Sequence, residues 1–284
     1  MFTKNFFWIG LMTLLGLLLA SESGHAYADP QKKNLAIFIF GSPGTPQFQH
    51  DFEDARADLG RVLEANGFGP EQQRVLKGDG QTLQTELAKI SKKTYGNLFI
   101  FVAGHANGRD EQAMLHLPGQ DRSYAELMPL IEKIHARQRI LVAAVPQAHV
   151  WAKRFSGKGQ IVLAGNARRE FDFIPAQFLK IFPAMFTKAA ERQARDLEAG
   201  PANVSLAEVF LMTSRRVERW YKRNHLLATE IPVLEADGDG RVSAVFLEKN
   251  GKMKSSKRKK RWVEDVAEAG RLHFVIPWVG GNHV

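Results

Sequence analysis

Residues 35–41 (LAIFIFG), 98–103 (LFIFVA), 139–145 (RILVAAV) and 160–164 (QIVLA) are short runs with almost no polar break. Continuous apolar runs of this length read as strands buried on both faces of a sheet. Between them the pattern changes to a helical period. Across 51–66, Phe52, Ala55, Leu59, Val62 and Leu63 fall on one side, and Gly67 closes the stretch. Residues 82–92 read as a second helix, and 124–136 as a third through Leu127, Leu130, Ile131 and Ile134. A short strand is expected at 73–76 and a small hairpin at 113–117, after a Gly-rich polar segment. Strands alternating with helices at this spacing predict an α/β fold, a mostly parallel sheet with helices on both faces. Beyond residue 175 the chain turns mostly helical, with amphipathic stretches at 175–199 and 206–225. Ser205-Leu-Ala-Glu208 has the form of a capping box opening the second of these. Residues 273–278 (HFVIPW) read as a last strand, expected to join the sheet. In such sheets the functional loops lie at the carboxyl ends of the strands. That directs attention to the residues just after Phe40, Ala103, Val145 and Ala164.

The amino terminus follows a different rule. Lys4 precedes an uncharged run at 6–20 (FFWIGLMTLLGLLLA), and a polar stretch then ends in Ala26-Tyr27-Ala28. A basic start, a short apolar run and a small-x-small site describe a secretory signal peptide, with cleavage expected near Ala28. The run is short for a membrane span, which needs about 20 apolar residues. The chain is therefore expected to be exported, to the periplasm or outside the cell, as one domain over 31–284. With 44% hydrophobic and 24% charged residues it has the makings of a packed core, which excludes disordered and fibrous classes. The net charge of +9 is local, because eight Lys/Arg and no acid fall within 249–262 (KNGKMKSSKRKKRW). Lys257, Arg258, Lys259, Lys260 and Arg261 form a candidate contact for a polyanion, an anionic envelope polymer or lipid surface, or else a solvated loop. No aromatic residues interleave with these charges, so nucleic acid is an unfavoured partner. Cysteine is absent from the chain. That excludes disulfides, thiolate metal sites and a cysteine nucleophile.

The strand ends carry ordered landmarks. One strand ends in Val102-Ala103-Gly104-His105-Ala106-Asn107-Gly108. The next ends in Leu141-Val142-Ala143-Ala144-Val145-Pro146-Gln147-Ala148, and a third in Ile161-Val-Leu-Ala-Gly-Asn166. This order resembles the caspase-like fold of clan CD cysteine peptidases, and in particular the legumain (C13) family and its bacterial caspase-domain relatives. In that family a Gly-His-Gly-type turn supplies the catalytic His, and the following parallel strand ends in Ala-Cys-Glu/His-Ser-Gly and supplies the nucleophile. His105 falls on the first motif, and Val145 falls where the cysteine would stand. Gln47-Phe48-Gln49-His50 is similar to the family's Asn-Tyr-Arg-His pocket segment, with Gln49 in the arginine position and His50 matching. Glu230-Ile-Pro-Val-Leu-Glu-Ala-Asp-Gly-Asp-Gly240 resembles a Pro-Leu-x-x-Asn-Gly-Asp-Gly stretch of bacterial relatives. The resemblance spans about residues 34–245 and implies a caspase-like, three-layer α/β fold.

The departures from the family pattern decide the expected chemistry. A thiolate attacks and the His serves as acid and base in such peptidases, and valine can do neither. Pro146, Gln147 and Ala148 also replace the residues that flank the cysteine and shape the oxyanion-stabilising backbone. The reading that follows is a catalytically inactive relative whose cleft, lined by Gln49, His50, Gly104, His105, Val145, Pro146 and Asn166, binds a peptide or protein. Two alternatives remain open at this point. One is a hydrolase with a non-cysteine mechanism centred on His105, for which Ser156 is a poor nucleophile because no Gly-x-Ser-x-Gly surrounds it. The other is a scaffold docking on an anionic surface through 249–262. No cofactor and no metal is expected: the spacing of His105, His116 and His149 fits no metal signature. Glu235-Ala-Asp237-Gly-Asp239-Gly240 has the look of a calcium loop, but its twelfth position, where a bidentate Glu belongs, is Phe246. The sequence therefore favours a plain turn there. Asn203-Val-Ser205 is formally a glycosylation sequon that overlaps the helix cap.

Overall fold

The structure, a computed structural model, describes residues 33–167, 173–196, 201–244 and 259–276. The expected signal segment at 1–28 lies outside these residues. So does most of the basic run, whose side chains at 257–261 are likewise not described.

The chain alternates strand and helix as the pattern predicts. In order come β1 (Leu35–Phe40), α1 (Pro46–Glu64), β2 (Gln73–Leu76), α2 (Gly80–Ile90) and β3 (Thr94–Ala103). A small antiparallel sheet follows, β4 (Ala106–Asn107), β5 (Met114–Leu115) and β6 (Arg122–Ser123). Then come α3 (Tyr124–Glu132), β7 (His135–Ala144), α4 (His149–Arg154), β8 (Gln160–Ala164) and α5 (Ala176–Asp196). The last elements are β9 (Ala202–Ser205), α6 (Leu206–Arg223), β10 (Val233–Glu235), β11 (Ser243–Ala244), α7 (Lys259–Gly270) and β12 (His273–Ile276). The central sheet has seven strands in the order β11-β10-β8-β7-β3-β1-β2. Strands β2, β1, β3, β7 and β8 run parallel, and β10 and β11 close one edge antiparallel. Among the described residues no helix is long and apolar enough to cross a membrane.

The continuous apolar runs sort by parity onto the two faces, because successive strand side chains point opposite ways. Phe38, Phe40, Phe99, Phe101, Val142 and Leu163 pack with α1, α5 and α6 on one face. Ile37, Ile39, Ile100, Val102, Leu141, Ala143 and Val162 pack with α2, α3 and α4 on the other. Each strand is thus covered twice, which is why its sequence shows no polar alternation.

Several boundaries differ from the sequence expectation. Helix α1 begins at Pro46 rather than 51, because Thr45 accepts from the Phe48 N–H and Pro46 occupies the first turn, where its missing N–H costs nothing. Gln47 to His50 therefore sit on the first turn of a helix. Helix α3 stops at Glu132, not 136, and β7 starts at His135, so the apolar Ile134 belongs to the connection. The expected last strand does not join the central sheet. β12 pairs antiparallel with β9 instead, Phe274 opposite Val204, and this ribbon packs beside α5. The expected hairpin at 113–117 is the middle of the three-stranded β4-β5-β6 sheet.

Candidate functional site

Strands β1, β3 and β7 end level. Phe40 pairs with Ala103, Ala103 with Ala144, and Ala143 with Ala164. Gly41, Gly104 and Val145 consequently leave the sheet side by side, with Gly165 one position earlier beside Ala144, and the ladder continues through the Gly41 and Gly165 N–H groups, which donate to Ala103 and Ala143. Gly41 and Gly104 must be glycines. A Cβ on Gly104 would stand 3.0 Å from the Gly41 Cα, and one on Gly41 would stand 2.6 Å from the His116 carbonyl oxygen. This closeness lets the β1 and β3 loops share one hydrogen-bonded frame, in which Ser42 N–H donates to His116 and His116 N–H donates to His105.

His105 stands on that frame, half-buried. Its Nε2 lies 3.1 Å from the Pro43 carbonyl oxygen, so Nε2 carries a proton and donates, and in the neutral ring Nδ1 is the acceptor. The Phe48 ring meets the imidazole edge-on, with centroids 4.9 Å apart and planes at 89°. Phe48 also packs against the core on the α1 face, which places the His105 ring on that side. Gly44, left-handed at φ 71, passes close to the same ring. Phe48 stands within the Gln47–His50 segment matched to the family's pocket segment but was given no role of its own, and the Pro43 carbonyl was not singled out in the sequence. The signal that points to Phe48 is the Thr45-Pro46 helix start, which sets it on the first turn.

Val145 is placed differently. It is 0% exposed and belongs to the core on the α3 and α4 side, continuing the parity of Leu141 and Ala143. The turn that follows is firmly held. The Pro146 carbonyl accepts the Tyr124 hydroxyl at 2.7 Å, and Gln147 is buried in a left-handed conformation, φ 54, that non-glycine residues seldom adopt. Trp151 supports this turn from α4. Its indole is fully buried, edge-on to Tyr124 at 5.2 Å and stacked on Phe155 at 6.0 Å. The side chain at the expected nucleophile position and the His105 ring thus serve opposite faces of the sheet.

The other expected cleft residues fall at different depths. Gly104, Pro146 and Asn166 are buried, and Ala167 next to Asn166 donates its N–H to the Ile231 carbonyl. Gln49 and His50 are exposed on α1, with the Gln49 amide on Glu53 one turn on. His116 pairs with Asp121 at 3.0 Å, and His149 stands 3.6 Å from Asp110. Among the described residues, the one set of three His, Asp or Glu side chains whose ligand atoms lie within 4.8 Å of one another is Glu235, Asp237 and Asp239, and it includes none of these histidines.

No family model matches the chain, and no curated protein matches it in sequence. Among solved structures it is similar to the Drosophila initiator caspase Dronc, at 9% identity over 66% of this chain and 74% of that one, with a TM-score of 0.41. It is similar to caspase-1 from Spodoptera frugiperda at 9% identity over 74% of this chain and 90% of that one, with a TM-score of 0.48.

Proposed function

We propose that this chain is an exported, catalytically inactive relative of caspase-fold, legumain-type peptidases that binds a peptide or protein partner without cutting it. One observation carries the reading. The residue after β7, where the family motif calls for the nucleophile, is a fully buried valine in a chain with no cysteine. Nucleophilic catalysis needs an activatable atom beside a base, and Val145 offers neither the atom nor the exposure. His105 fits a binding role. Its Nε2–H is held by a backbone carbonyl and its ring by Phe48, which leaves a fixed acceptor nitrogen at the rim of the strand ends. Gly44, Phe48 and His105 would form the partner-facing edge.

The test is hydrolysis of a peptide panel with Asn, Asp, Arg or Lys before the scissile bond. The native protein is expected to show no turnover above blank. Val145→Cys is expected to be silent too, because its thiol would lie in the core on the face opposite His105. Turnover by the native protein that disappears in His105→Ala would overturn the reading in favour of a non-cysteine hydrolase. Turnover by Val145→Cys alone would leave the native protein inactive and bring position 145 within reach of His105.

A further inference from the structure

We infer that the loop from Glu235 to Ser243, braced by Asp265 of α7, is a divalent-cation site that takes calcium. Glu235, Asp237 and Asp239 put carboxylate oxygens within 4.8 Å of one another. Oxygens on opposite sides of a calcium ion, with bonds of 2.3–2.6 Å, stand about 5 Å apart. The three acids are graded in depth: Glu235 is fully buried at the end of β10, Asp237 is half-buried, and Asp239 is exposed at the mouth. They occupy positions one, three and five of the twelve-residue calcium loop, and Gly240 occupies position six with φ 75, the conformation that turn requires. Arg241 and Ser243 stand at positions seven and nine, and the Ser243 hydroxyl faces the Asp265 carboxylate.

An acidic loop of this kind is common without an ion, so what distinguishes this one is its buried oxygens. Glu235 and Asp265 are each 0% exposed. Glu235 Oε2 and Asp265 Oδ2 have no hydrogen-bond partner. Asp265 comes from a different element, 26 residues beyond Asp239 in chain order, and is pressed onto the loop: its Oδ1 accepts from the Ala236 N–H at 2.7 Å and from the Asp237 N–H at 3.2 Å. Buried carboxylate oxygens without donors are strongly disfavoured unless a cation or a proton meets them. Asp265 thus braces the loop backbone through the Ala236 and Asp237 N–H groups, beside the three carboxylates that lie within 4.8 Å of one another. The ligands are all oxygen, which favours calcium or magnesium over softer metals. A loop whose outer members face solvent suits calcium's higher coordination number better than magnesium's strict octahedron. The ion would fasten β10, at the antiparallel side of the sheet, to α7. Gly238 and Gly240 of the same loop already pack against Gly157 and Ser156, just before β8.

The experiment is calorimetric titration of chelator-stripped protein with calcium chloride and, separately, magnesium chloride, followed by thermal melts. One saturable calcium site is expected, with dissociation in the micromolar to millimolar range, and a melting point several degrees higher when it is filled. Asp239→Asn, an exposed change that leaves the fold intact, is expected to weaken binding by about tenfold, and Asp265→Asn to weaken it as well. No saturable calcium heat up to about 5 mM, beyond the weakest loops of this type, would overturn the assignment. So would saturable magnesium binding without calcium binding, or calcium affinity unchanged in Asp239→Asn.

Discussion

Trp151→Ala is expected to lower the unfolding free energy by about 3–5 kcal/mol, the range for removing a large aromatic side chain from a packed core. At roughly 2–4 °C per kcal/mol for a chain of this size class, thermal melting would fall by on the order of 10 °C. The indole is fully enclosed between Tyr124 and Phe155, and its loss removes both ring contacts at once. It also removes support from the turn at 145–148, since Tyr124 holds the Pro146 carbonyl. Trp151→Phe separates packing from hydrogen bonding. The indole Nε1 has no hydrogen-bond partner, so phenylalanine forfeits only volume and should cost less than half as much. Equal losses in the two variants would contradict a packing role.

The second large effect is expected at Glu230, which is buried between the amino-terminal turn of α5 and the end of α6. Its carboxylate accepts from the Gln177 N–H at 3.0 Å, the Phe178 N–H at 2.7 Å and the Tyr221 hydroxyl at 2.8 Å. Glu230→Ala leaves these donors without their acceptor, and a buried unpaired donor costs about 1–3 kcal/mol. Partial rehydration and the remaining Tyr221–Thr229 bond hold the total to about 2–4 kcal/mol. Desolvation raises Glu230 above the ordinary carboxylate value, although both N–H donors, the Tyr221 hydroxyl and the Lys180 charge pull the other way. A raised carboxyl in the folded state contributes its stability fully below the unfolded value near 4.5, and loses it as pH climbs through the raised one. The melting difference between native protein and Glu230→Ala is therefore expected to be widest below pH 4.5 and to narrow as the pH rises above it. A gap that widens with pH would show that the carboxylate, not the carboxylic acid, is the favoured buried form.

The parallel sheet was legible because its strands are buried on both faces, so their apolar runs need no partner to be recognised. β1, β7 and β8 follow directly from LAIFIFG, ILVAAV and QIVLA. The helix starts were less legible. The apolar stripe of α1 begins at Phe52, but Thr45 and Pro46 set its first turn, and that turn is what carries Phe48 to His105. The destination of the last strand was not legible at all: HFVI suits any sheet edge, and only the position of β9 beside α5 determines which edge it meets.

By itself the sequence determined the α/β alternation, the strand ends at which to look, the placement of His105 and Val145 on successive strand ends, and the absence of any thiol. Those are properties of local pattern and composition, which act over a few residues. The tertiary structure alone decided that Val145 faces the core opposite the His105 ring, because a side chain's face depends on the register of the whole sheet. It alone brought Asp265 onto the Glu235–Asp239 loop, because a contact between groups far apart in the chain is set by how α7 packs against β10.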